Sequence, residues 1–319
     1  MLIGYHASHE QFAPSLLMDC ARAAEEAGFA SVKSSDHFQP WSERQGESGF
    51  TWSWLGAAMA VTSLPFGSIC APGYRYHPAV IAQGAATLAE MFPDRFWLAL
   101  GSGQAINEAM TGLPWPEKAE RNARLTECAT VIKQLLAGET VTHRGRIAVI
   151  EAKLYSRPQA PPPIFGAAVT PETAGLVAEW ADGLLTTGSE PEASRGTIEA
   201  FRAAGGEGKP VYVQHAVSWA PDEEAAMEQA LDQWSSAVAG GEVNWDLRRP
   251  KDFDTIGALI SADRIHQSVA VSADPGWHAE RLAGYRDLGV DAVYIHNVGT
   301  NQRQFIEAFG AKVLPELGR

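Results

Sequence analysis

Asp36 and His37 are the residues most able to do chemistry here, a carboxylate beside an imidazole that titrates near neutral pH. The pair suits proton transfer; as a bare dipeptide it fits equally well a surface histidine beside a helix-capping aspartate. Phe38, Trp41, Phe50, Trp52 and Trp54 crowd the following stretch. Aromatic surface in a loop is poorly solvated, so it either walls a planar ring or forms a satellite core. Gly101-Ser102-Gly103 offers close backbone approach and amide donors, with Gln104 and Asn107 as neutral hydrogen-bonding groups. Val169-Thr170 precedes Pro171 and predicts a helix N-terminus able to hold a phosphate. His6 and His9 raise the idea of a metal-dependent hydrolase. Residues three apart on a strand point to opposite faces, however, and no other His/Asp/Glu set completes a ligand shell, so no metal is expected. Gly-x-Ser-x-Gly and the Walker A pattern are both absent.

The elements that must position these residues alternate along the chain. Apolar runs at Leu2–Ala7, Ser31–Ser35, Phe66–Ala71, Phe96–Leu100, Pro163–Ala168, Gly183–Thr187, Val211–Trp219 and Ala292–His296 read as strands covered on both faces. Helical stripes lie between them: Leu16, Leu17, Cys20, Ala24 and Ala27; Leu125, Cys128, Ile132 and Leu135; Phe305, Phe309 and Val313. This predicts an α/β fold, a (β/α)8 barrel spanning residues 1–319 as one domain, with an open doubly wound sheet as the alternative. Two insertions are expected. Val141–Arg146 and Ala148–Leu154 form a hairpin before the fifth strand, and the polar stretch Gly240–His266 is either a lid or disordered. In such a barrel chemistry gathers beyond the strand C-termini, where Asp36-His37, Gly101–Asn107 and Val169-Thr170 all fall.

Composition removes several classes. A net charge of −13 over 319 residues argues against nucleic acid and anionic membrane as partners. No apolar run is long enough to span a bilayer, and Met1–Tyr5 lacks a signal peptide's basic and apolar regions. The three cysteines, Cys20, Cys70 and Cys128, are scattered without Cys-x-x-Cys spacing, as expected for a reducing cytoplasm.

Several segments carry a family resemblance: Gly4-Tyr5 with Glu10–Pro14, Ser35–Trp41, Tyr74–Gln83, Gly101–Glu108 and Gln302–Phe305. Across essentially its whole length the chain resembles the bacterial luciferase-like superfamily of flavin- and deazaflavin-dependent oxidoreductases. It is most similar to the branch of glucose-6-phosphate dehydrogenases that use coenzyme F420. The resemblance implies a barrel that holds an isoalloxazine or deazaflavin ring at its strand C-termini. It implies His37 as acid/base, Trp41 and Glu10 on the substrate side, and Gln104 where the relatives carry an acid. Cofactor contacts are implied for Asp36, Ser68, Ile69, Ala71, Gly103, Asn107, Val169 and Thr170, with Ser68-Ile69 matching a non-prolyl cis peptide behind the ring. A homodimer is common in the superfamily.

The chain also departs from that branch. An amide at Gln104 cannot deliver a proton as a carboxylic acid can. The basic residues that hold the sugar phosphate are matched by uncharged Ser189, Thr255 and Gln267 or Ser268, and a common Gly-Gly pair by Val169-Thr170. The expectation is therefore hydride transfer with FMN or F420, FMN slightly favoured, on a small organic molecule other than glucose 6-phosphate. The alternatives are an FMN-dependent monooxygenase fed by a partner flavin reductase, and a flavin-binding barrel without turnover.

Overall fold

A computed structural model describes residues 1–239 and 243–318. Its strands are β1 Leu2–Ala7, β2 Ser31–Ser34, β3 Phe66–Cys70, β4 Phe96–Leu100, β5 Val141–Arg144, β6 Ala148–Ala152, β7 Ile164–Ala167, β8 Gly183–Gly188, β9 Val211–Ser218, β10 Ala270–Val271 and β11 Ala292–Asn297. Eight of them run parallel in the order β1-β2-β3-β4-β7-β8-β9-β11, and the pairing of β11 with β1 closes a (β/α)8 barrel. The open doubly wound sheet is thereby excluded. Each apolar run identified in the sequence is one of these staves, since a strand buried on both faces needs apolar residues on both. β5 and β6 form the expected antiparallel hairpin.

The barrel interior is layered. Trp97, Phe165, Tyr212 and Tyr294 pack ring on ring with centroids 4.4–5.9 Å apart and plug the lower end. Trp97 Nε1 donates to the Tyr294 hydroxyl at 3.1 Å, so the plug leaves the indole N–H satisfied. Gly67 makes room for it: a Cβ there would fall inside the Trp97 indole. With the lower end filled, space remains only above the plug, toward the strand C-termini.

The outer layer comprises α1 Pro14–Ala27, α2 Thr51–Ala60, α3 Pro78–Met91, α4 Ala105–Glu108, α5 Lys118–Ala137, α6 Pro171–Val177, α7 Pro191–Phe201, α8 Glu223–Trp234, α9 Val243–Asp246, α10 Pro250–Gly257, α11 Ala262–Ile265, α12 Pro275–Ala283, α13 Gln302–Lys312 and α14 Leu314–Leu317. The sequence stripes face inward: Leu17, Cys20 and Ala24 of α1 are buried, as are Leu125, Cys128, Ile132 and Leu135 of α5. Leu16 is the exception and lies exposed. The Gly240–His266 insertion is helical in α9, α10 and α11, while residues 240–242 fall outside the described residues. Periodicity is weak there because helices of four to eight residues are too short to display a face, and Asn244 and Trp245 of α9 line the cavity. All three cysteines are free and buried. No helix among the described residues is long and apolar enough to cross a membrane.

Two expectations are corrected. Among the described residues the peptide bonds are trans, Ser68-Ile69 included; β3 runs in regular register there, with Ser68 opposite Leu98 and Ile69 opposite Ala99. The aromatic cluster after His37 does not act as a unit. Trp52 and Trp54 belong to α2 and pack into the core, and Phe38 and Phe50 are exposed, which leaves Trp41 facing the cavity.

Candidate active site

Above the aromatic plug lies a cavity of about 510 Å³ lined from all eight barrel strands or the loops that follow them. Its size falls in the range of small-molecule sites. Every candidate residue lines it except Ser68. The Ser68 hydroxyl is instead buried against Ser34, within 3.2 Å of that hydroxyl, because neighbouring residues on a strand face opposite ways and Ile69 takes the cavity side.

His37, just past β2, places Nε2 3.3 Å from Glu10 Oε1 and Nδ1 3.3 Å from the Gln39 carbonyl. Both facing oxygens only accept, so a neutral ring leaves one of them unmet and an imidazolium satisfies both. Burial acts the other way, pulling the His37 pKa below its ordinary value while Glu10 pushes it up. Burial alone would raise the Glu10 carboxyl, but His37 and the Ser35 hydroxyl hold it below the usual range. Glu10 Oε2 accepts from Ser35 and, at 3.0 Å, from Ser8. The carboxylate in contact with the imidazole is thus Glu10. Adjacency in sequence had suggested Asp36, which turns the other way. Trp41 covers the imidazole with centroids 5.0 Å apart and is itself held edge-on by Phe253 of α10 at 5.2 Å.

Asp36 enters a second buried network. Its carboxylate accepts from Tyr76 Oη at 3.0 Å and Arg75 Nη2 at 3.3 Å. Arg75 also lies 3.7 Å from Glu108 Oε1, and its backbone N–H donates to Glu108 Oε2 at 2.9 Å. One guanidinium serves two desolvated carboxylates. Burial therefore dominates, raising Asp36 to about 6 and Glu108 to about 7. Asn107 ties the rim together, its Oδ1 accepting from the Phe38 N–H at 2.9 Å. Gly103, at φ +85, closes against Glu108 and Trp115.

At the opposite rim Thr170 caps α6, accepting from the Thr173 N–H at 3.3 Å. Lys118 and Arg121 of α5 reach the same edge of the cavity. Arg121 is buried and its Nε has no hydrogen-bond partner. Ser189, Gln267 and Ser268 share another part of the wall, whereas Thr255 does not face the cavity and donates to the Lys251 carbonyl. His6 and His9 diverge, His6 into the cavity and His9 against Trp54 at 4.9 Å. Among the described residues no cluster of His, Cys, Asp and Glu could hold a metal.

The family model for luciferase-like monooxygenases matches residues 2–292. The chain belongs to that family. It is 38% identical to an F420-dependent glucose-6-phosphate dehydrogenase of Microbacterium testaceum, over 98% of this chain and 96% of the relative. It is 33% identical to one of Mycobacterium tuberculosis, over 99% and 98%. Among solved structures it is similar to an F420-dependent secondary alcohol dehydrogenase in complex with an F420-acetone adduct, with a TM-score of 0.92, 28% identity, and 99% and 98% of the two chains covered. A coenzyme F420-dependent tetrahydromethanopterin reductase from Methanopyrus kandleri shares the fold at TM-score 0.79 and 20% identity, with 98% of each chain covered. As a member of this superfamily the chain is an oxidoreductase.

Sequence reasoning found the wall bearing His37 but missed three groups. Arg75 and Glu108 stood within the segments that carry the resemblance without a role, because their acidic and basic partners lie far apart in the chain and only the fold brings Arg75 between Asp36 and Glu108. Lys118 and Arg121 were lost in an amphipathic helix. Lys33 sat unremarked inside a predicted core strand, where a lysine is itself anomalous.

Proposed function

We propose that the chain is an F420-dependent dehydrogenase acting at a carbon that bears a hydroxyl or carbonyl oxygen, and that glucose 6-phosphate is not its substrate. The observation that carries this reading is the His37 Nε2–Glu10 Oε1 contact of 3.3 Å on the cavity wall. The deazaflavin supplies a hydride acceptor or donor. The chain's part is then to take up the hydroxyl proton on His37, with Glu10 and the Gln39 carbonyl stabilising the imidazolium, and to exclude water with Trp41. Relatives named for F420 support that cofactor, and they give no support to the expectation of FMN.

The residues present fit such a group. Ile69, Ala71 and Ala167 offer apolar walls for a flat ring, and Asp36, Gly103 and Asn107 offer polar edges. The orphaned Arg121 Nε, with Lys118 and the Thr170 rim, suits an anionic tail. Along the wall formed by Ser189, Gln267 and Ser268, where the relatives' basic residues would fall, no lysine or arginine among the described residues lines the cavity. A sugar phosphate there would forgo charge-assisted hydrogen bonds worth about 1.5–3 kcal/mol each.

Titration of the purified protein with F420 and with FMN, followed by turnover assays on glucose 6-phosphate and on simple secondary alcohols, tests the reading. Tight binding of F420 and reduction of it by an alcohol but not by glucose 6-phosphate is expected. Preferential binding of FMN, or efficient turnover of glucose 6-phosphate, refutes it.

A further inference from the structure

Four polar side chains form part of the cavity floor and take no part in either network described above: His6 of β1, Lys33 of β2, Gln214 of β9 and His296 of β11. Gln214 and His296 stand two residues beyond Tyr212 and Tyr294 of the plug, on the same face and one layer nearer the mouth. Lys33 is only 1% exposed. Its Nζ donates to Gln214 Oε1 at 2.7 Å and lies 3.5 Å from His6 Nδ1. No carboxylate touches it among the described residues. An ammonium has three donors and no acceptor, so one N–H remains for the cavity.

The ammonium sets the direction of everything around it. Toward a charged Lys33, His6 Nδ1 accepts, which puts the ring proton on Nε2 of a ring that lines the cavity. Gln214 turns its oxygen to Lys33 and its amide N–H to His296 Nδ1 at 3.4 Å. His296 then donates from Nε2 to Gln11 Oε1 at 2.9 Å, and Gln11 donates to the Val298 carbonyl at 2.8 Å. Every acceptor in this chain is aimed back toward Lys33, an arrangement that favours positive charge at the floor. The ionisable groups acting on Lys33 are Glu10, which favours its charge, and three imidazoles. His6, His37 and His296 are all pulled below their ordinary pKa by burial, and Lys33 adds to that effect. Burial brings Lys33 itself down to about 7. The floor is preorganised to hold a cation with an unused donor, and no carboxylate among the described residues is in contact with it.

We propose that Lys33 and His6 form a carboxylate-binding subsite, so that the substrate is a small carboxylate-bearing molecule whose acid group docks on the barrel floor with its reacting carbon toward His37. This rests on reading the cavity as the substrate chamber.

Calorimetric titration of the whole protein, free of cofactor, with propionate and with its neutral isostere propionamide tests the proposal. F420 affinity is measured on the same samples. Propionate is expected to bind at least tenfold more tightly than propionamide. Lys33→Met is expected to weaken propionate roughly 10- to 100-fold, the loss of about one charge-assisted hydrogen bond, and to leave the amide unchanged. Gln214→Glu supplies the lysine with an internal counter-ion and is expected to weaken propionate comparably; it carries the test should Lys33→Met fail to fold. Wild-type affinity is expected to fall as pH rises through about 7, and that slope to vanish in Lys33→Met. Equal binding of propionate and propionamide by the wild type, or undiminished propionate binding by a variant that retains F420 affinity, overturns the proposal. Loss of F420 binding with propionate retained counts against the deazaflavin reading and leaves the floor subsite standing.

Discussion

Replacing Glu10 with glutamine preserves size while removing the charge that faces His37. At the observed 3.3 Å the bare attraction between Glu10 and an imidazolium is about 5 kcal/mol at an effective dielectric near 20, an upper limit before desolvation. The net difference between a charge-assisted and a neutral hydrogen bond is smaller, about 1–2 kcal/mol. The glutamine oxygen can still accept from Ser8 and Ser35, which turns its amide N–H toward His37 Nε2. That donor occupies the lone pair needed to receive a substrate proton and fixes the ring proton on Nδ1, facing the Gln39 carbonyl. Both effects act in the same direction. Turnover in alcohol oxidation should fall roughly 10- to 100-fold, and the pKa of His37 should fall, since Glu10 is the group that raises it. The sign follows from the chemistry: oxidation needs neutral His37, so the rate rises with pH through that pKa. In Glu10→Gln the acid limb therefore moves to lower pH while the plateau drops. Rate–pH profiles with saturating F420 measure the two independently. An unchanged plateau, or an acid limb displaced upward, refutes Glu10 as the partner of His37.

His37→Ala should lower turnover by about 10²–10⁴ while F420 affinity, followed by fluorescence, stays within a few-fold. Glu108, raised by burial from 4.5 to about 7 in the folded protein, binds its proton more tightly there than in the unfolded chain. It therefore contributes stability at low pH that is lost as pH rises between about 4.5 and 7, and Glu108→Gln should flatten that fall in thermal melts. Gly103→Ala places a Cβ 3.2 Å from both Glu108 Cγ and Trp115 Cη2 at φ +85, so a loss of about 1–2 kcal/mol is expected, with weaker cofactor binding by equilibrium titration.

The barrel was legible because its staves are short apolar runs set between helical stripes, and the closing pair β1–β11 needed only the eighth run, Ala292–His296. Position at a strand end, combined with the family resemblance, located His37. What sequence could not supply was direction. Asp36 and His37 are adjacent and diverge, so Asp36 pairs with Arg75, 39 positions away, while His37 pairs with Glu10 from the neighbouring strand end. Trp52 and Trp54 looked like wall residues because the start of α2 at Thr51 has no side-chain cap to announce it. Lys33 was hidden by the same logic that found its strand. An apolar pattern tolerates one lysine, and only the closed barrel shows that this one has nowhere to go but the cavity floor.

The placement of Lys33 also fixes how protons must accompany a bound anion. With burial bringing it down to about 7 in the empty pocket, Lys33 is largely neutral at pH values well above that. A carboxylate seated against it adds the opposite charge that burial withheld, and the ammonium form then predominates. Propionate binding near pH 8 should consequently take up protons on Lys33, and less of that uptake should fall to the lysine near pH 6, where it is already largely charged. Glu10 does not offset this, since its carboxyl is held below the usual range and stays ionised throughout. Calorimetry in two buffers of different ionisation enthalpy measures the uptake directly, and Lys33→Met should abolish it. Uptake near zero at pH 8 with propionate bound would show that the anion sits elsewhere or that Lys33 is charged before it arrives.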